Sequence, residues 1–250
     1  MKICSIGSVT TDIILSPVNA LPEPGTLQKV EHSSVHVGGC ASNAAIDLAK
    51  LGVPVLLCCK VGKDAFGDFV QSSCASAGVD TSGIIHDSSV NTTTSVVCVN
   101  SKGERSFLYN PGSTSCLRAE ELPYELIDEC GIVFVAGVML NTALDGAPCA
   151  EFFEKMRKKG KMTVMDTAWD FDGVWLPKIR DALEGLDLFM PSYDEAVMLT
   201  GEKSLSRIAD KLFVQGTASE ILVPVHKDWN EDLLAAARLS ISKEQEVQPE

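Results

Sequence analysis

The sequence predicts an α/β fold: a mostly parallel sheet with helices on both faces and a small antiparallel sheet beside it. Three observations lead there. Short β-type runs alternate with helical stretches along most of the chain. Helical stretches close at Gly52 and Gly78, as C-terminal caps, just before the next element. Two strand-like segments fall outside the alternation. A β-α-β-α rhythm implies parallel strands joined by right-handed crossovers.

Taken in order, residues 2–6 read as a strand and 41–51 as a helix. Residues 53–61 form an apolar run suited to a strand buried on both faces. A helix follows over 65–77, then a helix over 120–129 and a strand over 132–138. Residues 147–159 read as a helix, 162–166 as a strand and 186–190 as a short strand. A helix begins over 194–199, another covers 204–215, and 221–225 reads as a strand. Outside this rhythm, residues 27–37 partly alternate in polarity. Residues 92–99 and 105–109 flank the turn sequence Asn100-Ser101-Lys102-Gly103 and read as a hairpin. The expectation is one domain over residues 1–250, with inserted strands near 27–37 and 92–109 and a polar tail over 240–250.

Composition narrows the function classes. A net charge of -13 argues against nucleic acid and anionic membranes as principal partners. No apolar run approaches the ~20 residues of a membrane span. Residues 1–12 lack the anatomy of a signal peptide, so the expected location is cytoplasmic. The nine cysteines are scattered, are odd in number and never fall as Cys-x-x-Cys, which favours buried reduced thiols. The basic run 155–161 reads as a helix end, where cations suit the dipole.

The strongest chemical feature is Gly38-Gly39-Cys40-Ala41-Ser42-Asn43. A strand stops at two glycines and turns into a helix. Glycines let a ligand approach the backbone, and the first N–H groups of a helix can donate to a bound group. Asn43 in the first turn can donate and accept, which suits a polyhydroxylated ligand. A tight strand–helix turn with a capping Asn explains the glycine pair equally well. Asp12, soon after the first strand, fits a solvated turn. Asp166 ends a strand, where ligands of open parallel sheets bind, or it serves as a turn residue. Pro191-Ser192-Tyr193-Asp194-Glu195 starts a helix with the signature of a capping box. Asp145-Gly146-Ala147 reads as a turn followed by a helix start. A dinucleotide-binding Gly-x-Gly-x-x-Gly is absent after the first strand, where the chain reads Gly7-Ser8-Val9-Thr10-Thr11-Asp12.

The spacing of Gly39, Asn43, Ala45, Gly52 and Gly62, followed by Lys63-Asp64-Ala65-Phe66-Gly67, resembles the N-terminal signature of the ribokinase/PfkB sugar kinases. The resemblance runs to about Ser219. It implies a ribokinase-like three-layer sandwich with a small β lid, and transfer of phosphate from ATP, with Mg2+, to a hydroxyl of a sugar, nucleoside or similar small molecule. By the same resemblance, Asp12, Gly38, Gly39 and Asn43 bind the sugar. Asp166 and Glu195 lie near magnesium and phosphate, with no metal held directly by protein. Ser192 stands where the family motif has Asn, and the family's Arg near Asp166 is missing.

The family also carries a Gly-Ala-Gly-Asp turn near its C-terminus, which supplies a catalytic base and an anion hole. This sequence has no Gly-x-Gly, and Gly216 is its last glycine. The match breaks near Pro224, and residues 230–239 resemble a late family helix, so the expectation is loss of an internal segment. No residue is assigned as catalytic. The alternative to a kinase is a sugar- or nucleoside-binding chain without turnover. An open sheet edge would favour marginal stability or association, including a homodimer through the lid or that edge.

Overall fold

Alternate residues of the central strands serve two different cores. In Val55–Gly62 (β4), Val55, Leu57, Cys59 and Val61 join one apolar cluster, while Leu56 and Cys58 join another. Ile3–Gly7 (β1) and Ile132–Val138 (β8) divide the same way: Cys4, Ile6, Val133 and Val135 face the second cluster, Ala136 the first. Successive side chains of a strand point to opposite faces, so this sheet is covered on both sides. The computed structural model describes residues 1–214 and 220–221.

The first face is covered by Cys40–Lys50 (α1) and Ala65–Ser76 (α2), which contribute Ala41, Ala45, Val70 and Cys74. Small residues on α1 let the helix sit close to the sheet. The second face is covered by Tyr124–Asp128 (α3), Ala147–Lys158 (α4), Leu176–Leu183 (α5), Tyr193–Thr200 (α6) and Leu205–Val214 (α7). Its centre holds Phe152, Phe153, Met156, Ile179 and Phe189. Each such side chain, fully buried, contributes about 1.5–3 kcal/mol. The basic run falls in the last turn of α4, as Lys155, Arg157 and Lys158.

Asp80–Asp87 (β5), Met162–Thr167 (β9), Leu188–Phe189 (β10) and Glu220–Ile221 (β11) complete the main sheet. Its order is β11-β10-β9-β8-β1-β4-β5, and every pair is parallel. A second sheet has the order β3-β2-β6-β7, built from Thr10–Ser16 (β2), His32–Gly38 (β3), Thr94–Val99 (β6) and Arg105–Asn110 (β7). The β2/β3 and β6/β7 pairs are antiparallel, and β2/β6 is parallel. No helix among the described residues is long and apolar enough to cross a membrane. All nine cysteines are free thiols, and most are buried.

Several elements differ from expectation. Residues 120–129 do not form one helix: a short 3-10 turn over Ala119–Glu121 ends in extended Leu122, and α3 begins after Pro123. Proline lacks the N–H that a continuous helix needs there. The strand expected over 186–190 is paired only at Leu188–Phe189. Three elements are additional: β2, β5 and α5. The strand residues 222–225, the helix over 230–239 and the tail lie outside the described residues.

The junction between the two sheets rests on Asp64, the N-cap of α2. Its carboxylate accepts from the Gly67 N–H at 2.9 Å, the Thr92 N–H at 2.8 Å and the Thr92 hydroxyl at 2.7 Å. Burial alone would raise its pKa, but these donors outweigh it and hold the carboxyl below its usual range. Its stabilisation is therefore present above the unfolded-state value near 3.9 and fades as pH falls below it. Replacing Asp64 by Ala is expected to lower unfolding stability by about 1–3 kcal/mol at pH 7. Urea melts at pH 7 and pH 3 check this, since the wild-type advantage must shrink at pH 3.

Candidate functional site

The cleft starts from Ser8, the residue that follows β1. Gly39, with φ 97°, is the N-cap of α1, and a Cβ there would overlap the backbone of Ser8 and Val9. Only glycine allows that contact. Ser8 then holds the start of α1. Its hydroxyl accepts from the Cys40 N–H at 3.0 Å, and its carbonyl accepts from the Ala41 N–H at 3.0 Å. This corrects the expectation of free donors: the first two N–H groups of α1 are engaged by Ser8. On the other side, a Cβ on Gly137 would overlap the Ser8 hydroxyl, so β8 also depends on a glycine for its approach. Gly38 leaves room for something else. A Cβ there would overlap the carboxylate of Asp12.

Asp12 is not in a turn. It lies on β2, and the register sets His36, Asp12, Ser95 and Tyr109 side by side across the four strands of the smaller sheet. Paired residues share a face, so this is one polar row, with strands about 4.8 Å apart. Burial raises the Asp12 pKa, and His36 acts against the rise. Tyr109 is pushed up to about 12, first by burial and then by Cys40 and Asp12. Its hydroxyl is enclosed and has no hydrogen-bond partner among the described residues. Its ring stacks on Phe171 at 5.7 Å, joining the smaller sheet to the loop after β9.

Asp166 and Glu195 form the opposite end of the cleft. Asp166, on β9, accepts from the Gly137 N–H at 2.6 Å. Burial pushes its pKa up to about 8 against that hydrogen bond, and Glu195 adds to the rise. Glu195 does close the expected capping box: its carboxylate accepts from the Ser192 N–H at 3.0 Å, and Ser192 accepts from the Glu195 N–H at 3.3 Å. The same carboxylate accepts from the Thr167 hydroxyl at 2.9 Å. Its pKa too is raised, by burial first. The thiol of Cys40 is raised by burial and then by Asp166 and Glu195, which places it between the two acids and the polar row.

The structure thus gathers Asp12 with Gly38, and Gly39 with Ser8, Gly137, Cys40, Asp166 and Glu195. Asn43 stands apart. It is exposed, and with His36 and Lys50 it lines a groove between α1, α2 and β3. His36 is the link, being both in that groove and beside Asp12. Sequence reasoning missed Ser8, Ser95, Tyr109 and Thr167. It also missed the environment of Asp145, which is buried just before α4 with its pKa raised by burial to about 7. The Met139 N–H donates to one of its oxygens at 3.0 Å. Gly146, with φ 74°, is the N-cap of α4, as the turn reading expected.

The model of the pfkB family of carbohydrate kinases matches residues 1–223. The chain belongs to this family. It is 29% identical over 218 residues to the 2-dehydro-3-deoxygluconokinase of Bacillus subtilis, covering 82% of this chain and 66% of that one. It is 31% identical to fructokinase-2 of Oryza sativa subsp. japonica, covering 78% and 53%. An Arabidopsis thaliana ribokinase solved with ribose and ATP shares the fold at a TM-score of 0.74 and 20% identity, covering 89% of this chain and 70% of that one. A Xylella fastidiosa fructokinase with bound ATP has a TM-score of 0.69 at 23% identity, covering 89% and 71%. The chain spans about half to two thirds of the length of these curated relatives.

The raised pKa of Asp166 in this PfkB chain has a defined consequence. The folded state holds the acid neutral up to about pH 8, while the unfolded chain loses the proton near pH 3.9. Stability associated with Asp166 is therefore complete below the unfolded value and declines as pH rises through the folded value. Asp166→Asn removes the penalty. It is expected to be near neutral in effect at pH 4 and stabilising by at least about 1 kcal/mol at pH 8. Thermal or urea melts of both proteins across that range give the difference directly.

Proposed function

We propose that this chain carries the sugar-binding half-site of an ATP-dependent carbohydrate kinase. The observation that carries the reading is the pairing of Gly38 with Asp12: the glycine leaves space for a half-buried carboxylate at the mouth of the cleft. Asp12 accepts from sugar hydroxyls, and the Gly38–Gly39 backbone lies close enough for a ligand to pack on it. We assign Asn43, on α1 and beside His36 in the groove, to the same site by family resemblance. Asp166 and Glu195 fit a water-mediated Mg2+ site, because two buried carboxylates, one of which raises the pKa of the other, gain from a shared cation. The cation would neutralise charge on the phosphates of ATP. Family membership and a fold shared with ATP-bound structures support these cofactors.

A second reading is sugar or nucleoside binding without transfer. It is favoured by the sequence itself, which contains no Gly-x-Gly to form the anion hole and base of the resembled family. We also place the chain in the cytoplasm, and a homodimer on the smaller sheet, where Val35 on edge strand β3 and Phe107 and Leu108 on edge strand β7 are exposed. Light scattering at about twice the 26.8 kDa chain mass would support the dimer, and a monomer at every concentration would remove it.

Calorimetry against a panel of sugars and nucleosides tests the half-site. At least one sugar is expected to bind, and Asp12→Ala to weaken it by about tenfold or more, the worth of a lost charge-assisted hydrogen bond. Failure of every sugar to bind would overturn the proposal. Phosphate transfer from ATP with Mg2+ then separates the two readings: turnover identifies a kinase, and binding without turnover the second.

A further inference from the structure

In the turn after β8, Oδ1 of Asn141 and Oδ1 of Asp145 are enclosed without a hydrogen-bond partner among the described residues. Asn141 is fully buried and Asp145 is 9% exposed. The Asn141 carbonyl accepts from the Leu144 N–H at 2.6 Å and from the Asp145 N–H at 2.9 Å. Asn141 and Asp145 are therefore one helical turn apart, where side chains are neighbours. Both side chains also reach back to the same segment, residues 136–139. Asn141 donates through Nδ2 to the carbonyls of Ala136 and Gly137, each at 3.1 Å. Asp145 accepts from the Met139 N–H at 3.0 Å through its other oxygen.

The clamped segment lies directly under the acid end of the cleft. Its Gly137 N–H donates to Asp166 at 2.6 Å, and Gly137 packs on Ser8. Met139 has φ 92°, a left-handed conformation that a side chain disfavours and that persists only where its surroundings fix it. The groups facing Asp145 come from three elements. Lys178 on α5 opposes its charge, but gives its three protons to the Met139 carbonyl at 3.4 Å, Asp170 at 3.0 Å and Asp172 at 2.9 Å. Asp170, in the loop after β9, adds a like charge. Cys149 on α4 is fully buried near Asp145, which raises its pKa further after burial. Two enclosed oxygens that can only accept are costly side by side. A single proton between them removes that cost.

We infer that a protonated Asp145 donates from Oδ1 to Oδ1 of Asn141, and that the closed pair positions the Gly137 N–H against Asp166. One hydrogen bond then satisfies both oxygens. Burial favours that protonation state and pushes the Asp145 pKa up to about 7; Lys178 and the Met139 N–H act against the rise, and Asp170 adds to it. Asn141 and Asp145 are positioning residues: they act through the backbone of 136–139 and touch no ligand. Ionisation of Asp145 sets a carboxylate oxygen against an amide oxygen and weakens the hold on the strained turn. The acid end thereby gains a pH dependence from a residue outside it. The clamp acts on the fold beneath the acid end, so it holds whether or not a sugar binds at the glycine turn.

Asp145→Asn tests this in the full chain, because its amide donates to Asn141 at every pH and still accepts from Met139. The stability linked to Asp145 is complete below the unfolded value near 3.9 and is lost as pH rises through about 7. Thermal melts at pH 5 and pH 8 should therefore diverge in favour of Asp145→Asn, by at least about 3 °C. Asp166 titrates in both proteins and cancels from the difference. Amide hydrogen exchange at Gly137, read by NMR at pH 6, should be at least about tenfold faster in Asp145→Ala and return to the wild-type rate in Asp145→Asn. If Asp145→Ala does not fold, Asn141→Ala takes its place in that comparison. A melting difference equal at the two pH values would overturn the shared proton. Gly137 exchanging alike in wild type and the alanine variant, or as fast in Asp145→Asn as in that variant, would overturn the positioning role. Potassium chloride that raises the wild-type melt at pH 8 above equal choline chloride, and leaves Asp145→Asn unmoved, would show a cation in the proton's place and overturn the inference.

Discussion

Ser8 joins three elements through contacts that tolerate no larger side chain around it. Its carbonyl and hydroxyl engage the first two N–H groups of α1, Gly39 packs against its backbone, and Gly137 packs against its hydroxyl. Strand β1, helix α1 and strand β8 therefore meet at one residue at the carboxyl end of the sheet. Everything else in the cleft is placed relative to that junction. Gly137 carries the N–H that holds Asp166, and Cys40, the first residue of α1, comes to lie near Asp166 and Glu195. The strand that ends at Gly38 carries His36 alongside Asp12. A helix N-terminus is often free to bind an anion. Here Ser8 occupies its first donors, and the glycines serve close packing and access instead.

The cleft that results has two chemically distinct ends. One is the polar row of the smaller sheet, suited to hydroxyl groups. The other is the Asp166–Glu195 pair, where burial leaves both acids above their ordinary pKa values and Glu195 adds to the rise at Asp166. A pair like that costs stability in the free protein at neutral pH, and natural chains keep such costs where a site needs them. Thr167 and the Ser192 capping box fix Glu195 in place, so its structural and chemical roles coexist.

Much of this was legible in the sequence, for identifiable reasons. Close approach of backbone demands glycine, so Gly38 and Gly39 left a visible mark. The buried strands β4 and β8 show as apolar runs, and the cap of α6 shows as Ser192 and Glu195. What was not legible depends on long-range register or on burial. Asp12, Ser95 and Tyr109 become neighbours only because β2 pairs with β6 and β6 with β7. Strand β2 begins with Thr10, Thr11 and Asp12, a polar start that reads as a turn. Edge strand β5 contains Gly83 and polar residues at both ends, and α5 opens on Leu176-Pro177, so neither shows a clear period. Ser8 looks like any serine after a strand; its role appears only once Gly39 and Gly137 close on it.

The central claim is that a ligand enters at the glycine turn and spans from the polar row toward the acid pair. Amide chemical shifts of the isotopically labelled full chain, followed by NMR during titration with a neutral sugar, test it most directly. The account predicts perturbations concentrated at Ser8, Asp12, Gly38, Gly39, Ser95 and Tyr109. Perturbations confined to the exposed groove around Asp47, Lys50 and Ser73, with the glycine turn unmoved, would contradict it.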